Sequence, residues 1–215
     1  MAEYLTPTAP MNKTHIKRSL LKIAQRDREL EHALNVYGFP NTRIQPAGFE
    51  TFVVTIVSQQ LSTKAANTIM QRVRDLLIDI TPDNVLARRK ATLKKTGLSE
   101  RKVEYIQGLA KAIKNGQFDP DTLDSLDDAS AINAITNLHG FGVWSAEIYL
   151  MFSLGRQDIF PANDLALQAA LQNLKQLETR PTPKVARSMV AHWAPWRSAG
   201  SLFLWHFYNA EKIDS

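Results

Sequence analysis

In the stretch FPANDLALQAAL, Asp164 stands at the N-terminal edge of an apolar-periodic run. That position suits an N-cap, whose side-chain oxygen takes amide hydrogen bonds at a helix start, and Asn163 competes for the role. A carboxylate there also faces the positive end of the helix dipole. It suits a group that must stabilise a developing cation. The two readings are compatible.

Upstream, LHGFGVW sets Gly140 and Gly142 around Phe141. Glycine permits positive φ or close approach of the backbone. The turn joins two helical stretches, so it reads as a helix–hairpin–helix whose amides could grip a phosphate without reading sequence. A plain tight turn between helices reads equally well from the glycines alone. TGLSERKVEYI echoes the pattern, with a glycine turn before a helix.

Aromatic residues crowd the C-terminal stretch HWAPWRSAGSLFLWHFY, with Trp193, Trp196 and Trp205; the fourth tryptophan is Trp144, just after the glycine turn. Such residues fill cores, and an exposed subset could stack on a nucleobase or hold a cationic one. In TIVSQQLSTKAAN, Gln60 follows Phe49 by eleven residues and so returns to the apolar stripe of a helix. A polar side chain there must find a partner or project from the helix end.

These residues need elements to hold them, and helical periodicity dominates. Residues 14–37, the run from Phe49, the stretch from Ser62 to Asp79, 127–137, 142–153, 164–175, 183–193 and 198–212 all read as helices. Ser62, Thr81 and Ser99 are the expected caps, and Pro82 takes the first helical position after Thr81. The stretch 142–153 is apolar nearly all round and reads as a buried helix. No alternating run marks a strand, so the fold class is all-α.

The chain has 215 residues, 44% of them hydrophobic, enough for one substantial core or two small ones. It has no cysteine, which excludes disulfides, a cysteine-ligated zinc and a cysteinyl iron–sulfur cluster. The start, MAEYLTPTAPMNK, lacks an apolar h-region, and no apolar run is long enough to span a membrane. An intracellular protein with no membrane partner is expected. The net charge of +5 hints at a polyanionic partner or simply marks a basic surface. Small basic clusters include Lys94-Lys95 and Arg101-Lys102, flanking TGLS.

Taken in order, SQQLSTKAANTI, TGLSERKVEYI, LHGFGVWSAE, FPANDLALQ and WAPWRSAGSLFLW resemble the helix–hairpin–helix DNA glycosylase superfamily. Within it the chain looks most like the 3-methyladenine DNA glycosylase II branch, over about residues 45–208. The resemblance implies a bilobal all-α fold with its site in the cleft between two helical lobes. Residues 1–13 would form a flexible lead and 14–215 a single unit, with 38–136 as a central lobe and 14–37 plus 137–215 as a second.

The resemblance further implies that Asp164 is the catalytic carboxylate and that Trp144, Trp205 and Gln59 line or border the base pocket. Gln60 matches the residue that wedges into the duplex, and Gly140 and Gly142 the hairpin that meets a DNA phosphate. Thr136, Leu138 and Phe141 match positions whose main-chain carbonyls hold a monovalent cation beside that phosphate. No cofactor would be required, and the protein would act as a monomer on double-stranded DNA with alkylated bases.

Departures from the family pattern matter. Strand-cutting members carry a Schiff-base lysine where this chain has Trp144, and no lysine lies between Asn115 and Leu174. Base removal without strand cutting is therefore expected. His139 replaces the usual hairpin proline, Leu165 stands where some relatives have tyrosine, and an N-terminal sheet domain has no room. The alternative from another class is a non-catalytic DNA-binding or lesion-sensing module, in which Asp164 is only a cap. A helical interaction protein is a third reading, but it leaves the ordered motifs unexplained.

Overall fold

The structure, a computed structural model, describes residues 11–214, and side chains as far as Glu211. Every regular element among them is helical. Residues 1–10 of the expected lead lie outside the described residues. Its last residues are built into the fold, because Met11 is buried and Asn12 caps the first helix through the His15 amide.

Two compact units emerge, one running up to Ile44 and again from Glu147, the other Gln45–Ala146. The first contains α1 (Lys13–Ala24), α2 (Arg28–Tyr37), α10 (Leu165–Leu174), α11 (Pro183–Met189) and α12 (Arg197–Asp214). The run 14–37, read as one helical stretch, breaks at Asp27, which caps α2 through the Leu30 amide. The apolar period carries across that break, so periodicity alone does not reveal it. Leu20, Ile23, Leu30, Phe203 and Trp193 fill this unit's core.

The second unit contains α3 (Phe49–Ser58), α4 (Thr63–Leu77), α5 (Pro82–Leu86), α6 (Lys90–Lys94), α7 (Glu100–Lys114) and α8 (Asp128–Thr136). Ser62, Thr81 and Ser99 cap α4, α5 and α7 as their positions predict, each accepting a first-turn amide. Phe52 sits at the centre, edge-on to Phe118 and Phe141 at 5.5 and 5.4 Å.

The boundary between the units falls inside α9 (Val143–Phe152), so hairpin residues 137–146 group with the central unit. The sequence-based division put them in the other lobe. From Ser145 to Phe152 this helix is largely buried, but its first turn is not, and Val143 and Trp144 are both 41% exposed. No helix among the described residues is long and apolar enough to cross a membrane.

Candidate active site

Asp164 is the N-cap of α10. Its Oδ1 accepts the amides of Ala166 and Leu167 at 2.9 and 3.0 Å, and the indole Nε1–H of Trp205 at 3.2 Å. Three donors on one oxygen fix the plane of the carboxylate. Two of them are the orphan amides of a helix start, so the N-cap reading holds, with the carboxylate fixed at the positive end of α10. Asn163 is exposed and does not take the cap.

Trp205, from α12, is half-buried and tilts against the buried Phe152 of α9 with ring centroids 5.8 Å apart. The Arg43 guanidinium lies 4.8 Å over that phenylalanine ring. Trp205 is thus a partly open ring anchored at both ends, by a carboxylate and by an aromatic. Trp193, in contrast, is wholly buried.

The loop leading to Asp164 is pinned at several points. Arg197 grips Asp158 with two guanidinium bonds of 2.7 Å each. Ser198 Oγ donates to the Arg156 carbonyl at 2.6 Å and accepts the Ile159 amide at 3.0 Å. Arg187 donates to the Phe160 carbonyl at 3.0 Å and to the buried Glu147 at 2.8 Å. Burial pushes the Glu147 carboxyl above its usual range, and Arg187 opposes that shift. Gln168, itself buried, closes the loop by donating to the Ala162 carbonyl at 2.7 Å. None of these supports is apparent in the sequence, because each partner lies far along the chain or on a residue type common at surfaces.

The hairpin belongs to the other unit. Gly140 has φ of 98°, and a Cβ there would stand 2.4 Å from the Tyr105 ring of α7. Gly142 has no such need, because a Cβ would meet nothing within 4 Å. The space beside it is open, while its carbonyl accepts the Ala146 amide at 3.1 Å. Ser145 Oγ folds back on it, accepting the Gly142 amide at 3.0 Å.

Gln59 donates its side-chain amide to the Gly140 carbonyl at 2.9 Å, which makes it a brace of the hairpin. Gln60 does not lie on the α3 stripe, because α3 ends at Ser58. It is exposed, with a left-handed φ of 57°, and projects from the helix end. At this helix end Lys102 Nζ donates to the Val57 and Gln59 carbonyls at 2.8 and 2.9 Å, taking up acceptors that lack intrahelical partners. Lys102 is a further residue of this arrangement that sequence reading missed. A signal existed: it shares the α7 stripe with Ile106 and Leu109, where a charge needs a partner.

Among the described residues no cluster of His, Asp or Glu side chains could hold a metal. The main-chain set named from the sequence, Thr136, Leu138 and Phe141, spans the end of α8 and the turn that follows it. Thr136 is the last residue of α8, where carbonyls lack intrahelical partners and the dipole end is negative. The Phe141 amide donates to the Leu138 carbonyl at 3.2 Å, curling the turn.

A family model described as "HhH-GPD superfamily base excision DNA repair protein" matches residues 53–195. DNA-3-methyladenine glycosylase 1 of Schizosaccharomyces pombe is 29% identical over 161 residues, 73% of this chain and 71% of that protein. The crystal structure of a DNA-3-methyladenine glycosidase from Bacillus halodurans superposes with a TM-score of 0.81 at 29% identity, covering 91% of each chain. The fold is shared too by an S. pombe 3-methyladenine DNA glycosylase solved with abasic DNA, at a TM-score of 0.78 and 24% identity, over 91% of this chain and 97% of that one.

Proposed function

The chain belongs to the HhH-GPD superfamily of base excision DNA repair proteins, and from that premise we propose that it is a monofunctional DNA glycosylase for alkylated purines. The observation that carries the reading is Asp164, fixed by two helix-start amides and the Trp205 indole. Relatives named for 3-methyladenine support the substrate class.

The chemistry needs no cofactor. A damaged nucleotide leaves the duplex stack to become accessible. A purine methylated at a ring nitrogen carries positive charge, which favours contact with a partly open tryptophan face such as that of Trp205. The same charge makes it a good leaving group, so strong general-acid help is unnecessary. As the N-glycosidic bond breaks, its electron pair goes to the base and the sugar becomes oxocarbenium-like. Asp164 stabilises that cation and directs water to the anomeric carbon, as carboxylates do in glycoside hydrolysis. Gly140 and Gly142 present the hairpin to a backbone phosphate, Gln60 fills the vacated stack, and Gln59 braces the hairpin beside it. A monovalent cation on the carbonyls of Thr136, Leu138 and Phe141 would offset phosphate charge there.

Methylated duplex DNA tests the proposal. The expected products are free 3-methyladenine and 7-methylguanine and an unbroken abasic strand, with no protein–DNA adduct after borohydride reduction, since a lysine imine is not formed. Duplex binding without released base would instead identify a lesion-sensing module, and a trapped adduct would overturn the monofunctional assignment.

A further inference from the structure

We propose that Lys102 is a positioning residue for the strand-inserting tip at Gln60, and that α7 holds this tip in register with the phosphate-gripping hairpin. The inference rests on Gln60 being the inserting residue. Its grounds lie wholly within the unit Gln45–Ala146.

The connection from α3 to α4 is short, and Gln60, Leu61 and the capping Ser62 within it are exposed. The left-handed φ of 57° at Gln60 costs a non-glycine residue roughly 1–2 kcal/mol. Such strain persists only where the surroundings over-determine the backbone. The Lys102 ammonium supplies that constraint by donating to the last carbonyls before the tip, Val57 at 2.8 Å and Gln59 at 2.9 Å. A cation at a helix C-terminus also complements the dipole. Burial lowers the affinity of Lys102 for its proton, as expected for an ammonium turned inward to carbonyls.

Lys102 and Tyr105 stand three residues apart and so share one face of α7. Tyr105 is the ring packed against Gly140. A single helix face therefore sets both the tip and the hairpin. The Gln59 amide closes the loop by bonding the Gly140 carbonyl at 2.9 Å. A phosphate held at the hairpin then finds the tip already aimed, and binding avoids the cost of ordering it.

The test compares affinity for a duplex carrying a tetrahydrofuran abasic analogue with affinity for the same duplex undamaged. Both complexes use the hairpin, but only the first has a gap for Gln60 to fill. Lys102→Met should reduce the ratio of the two affinities by roughly tenfold, the scale of one lost charged hydrogen bond. Lys102→Arg should restore most of it, and Lys102→Met with Gln60→Ala should lose no more than either alone. An equal loss on both duplexes, the mark of a simple phosphate contact or of general loosening, overturns the proposal. Gln60→Ala alone separates the two layers. If it leaves the ratio unchanged, the inserting role fails; if it lowers the ratio and Lys102→Met does not, the positioning role fails. Should Lys102→Met melt below assay temperature, Gln59→Leu cuts the tie to the hairpin and carries the same expectation and the same overturning result.

Discussion

At the scale of single residues, Asp164 caps α10, and substitution can separate that task from the catalytic one proposed for it. Asparagine caps helices about as well as aspartate, since its amide oxygen accepts the same amides. It lacks the charge that would meet an oxocarbenium ion. Asp164→Asn should thus keep a melting temperature close to wild type while base release falls at least about a hundredfold, the scale lost with a key electrostatic group. Asp164→Ala should lose the activity and also about 1 kcal/mol of stability with the cap. Thermal melts beside a base-release assay check both, and full activity in the asparagine variant would leave Asp164 as a cap alone. The sequence carries the position of this residue plainly, because the N-cap and the apolar run are adjacent. It does not carry the bond to Trp205, which lies on another helix and reaches Asp164 only through the packing of α10 and α12.

At the scale of elements, the hairpin divides its work between two glycines that look alike in sequence. Gly140 is required by the fold, by its φ of 98° and by the Tyr105 ring where a Cβ would sit. Gly140→Ala should cost about 1–3 kcal/mol of stability, as overpacking and strain do. Gly142→Val faces no such obstacle, since the site of a Cβ is open. Its stability should change little, while binding to all duplex sequences weakens alike, because a phosphate contact carries no sequence information. Weakening on one sequence only would contradict the phosphate role. Helix starts were legible for a local reason: a cap and its amide partner lie three residues apart, as at Ser62, Thr81 and Ser99. The end of α3 was not, because the donor that takes up the carbonyls there, Lys102, comes from a helix more than forty residues away. Gln60 counts onto the apolar stripe in the sequence, and of the two outcomes open to it, a partner or projection from the helix end, it takes the second.

At the scale of the whole molecule, the ordered motifs carried the fold class, while the tie that gathers one unit stayed hidden in a charge-rich stretch, QRDREL. Asp27 looks solvated there, yet its carboxylate is fully buried. It accepts Lys175 Nζ at 2.6 Å, Trp193 Nε1–H at 2.7 Å and the Leu30 amide at 3.1 Å. His192 Nε2 lies 2.9 Å from the oxygen that Trp193 also meets, and donates in the tautomer that a carboxylate requires. One side chain thereby joins the start of α2, the end of α10 and the turn after α11. Burial alone would raise its pKa, but the bonds from Lys175, Trp193 and Leu30 outweigh that and hold it at about 2, against 3.8 for an ordinary aspartate. A carboxylate depressed in the folded state adds stability above the unfolded value and loses it as pH falls toward the folded one. The window therefore runs from about pH 4 down to about pH 2, and the ionisation contributes about 2 kcal/mol at neutral pH. Asp27→Asn should lower stability most above pH 4, with the gap to wild type narrowing by about that amount on acidification to pH 2. Comparing the two proteins cancels the opposing titration of Glu147, which is present in both. Urea unfolding at a series of pH values measures the gap, and a gap independent of pH would mean that the folded carboxylate titrates as it does in the unfolded chain.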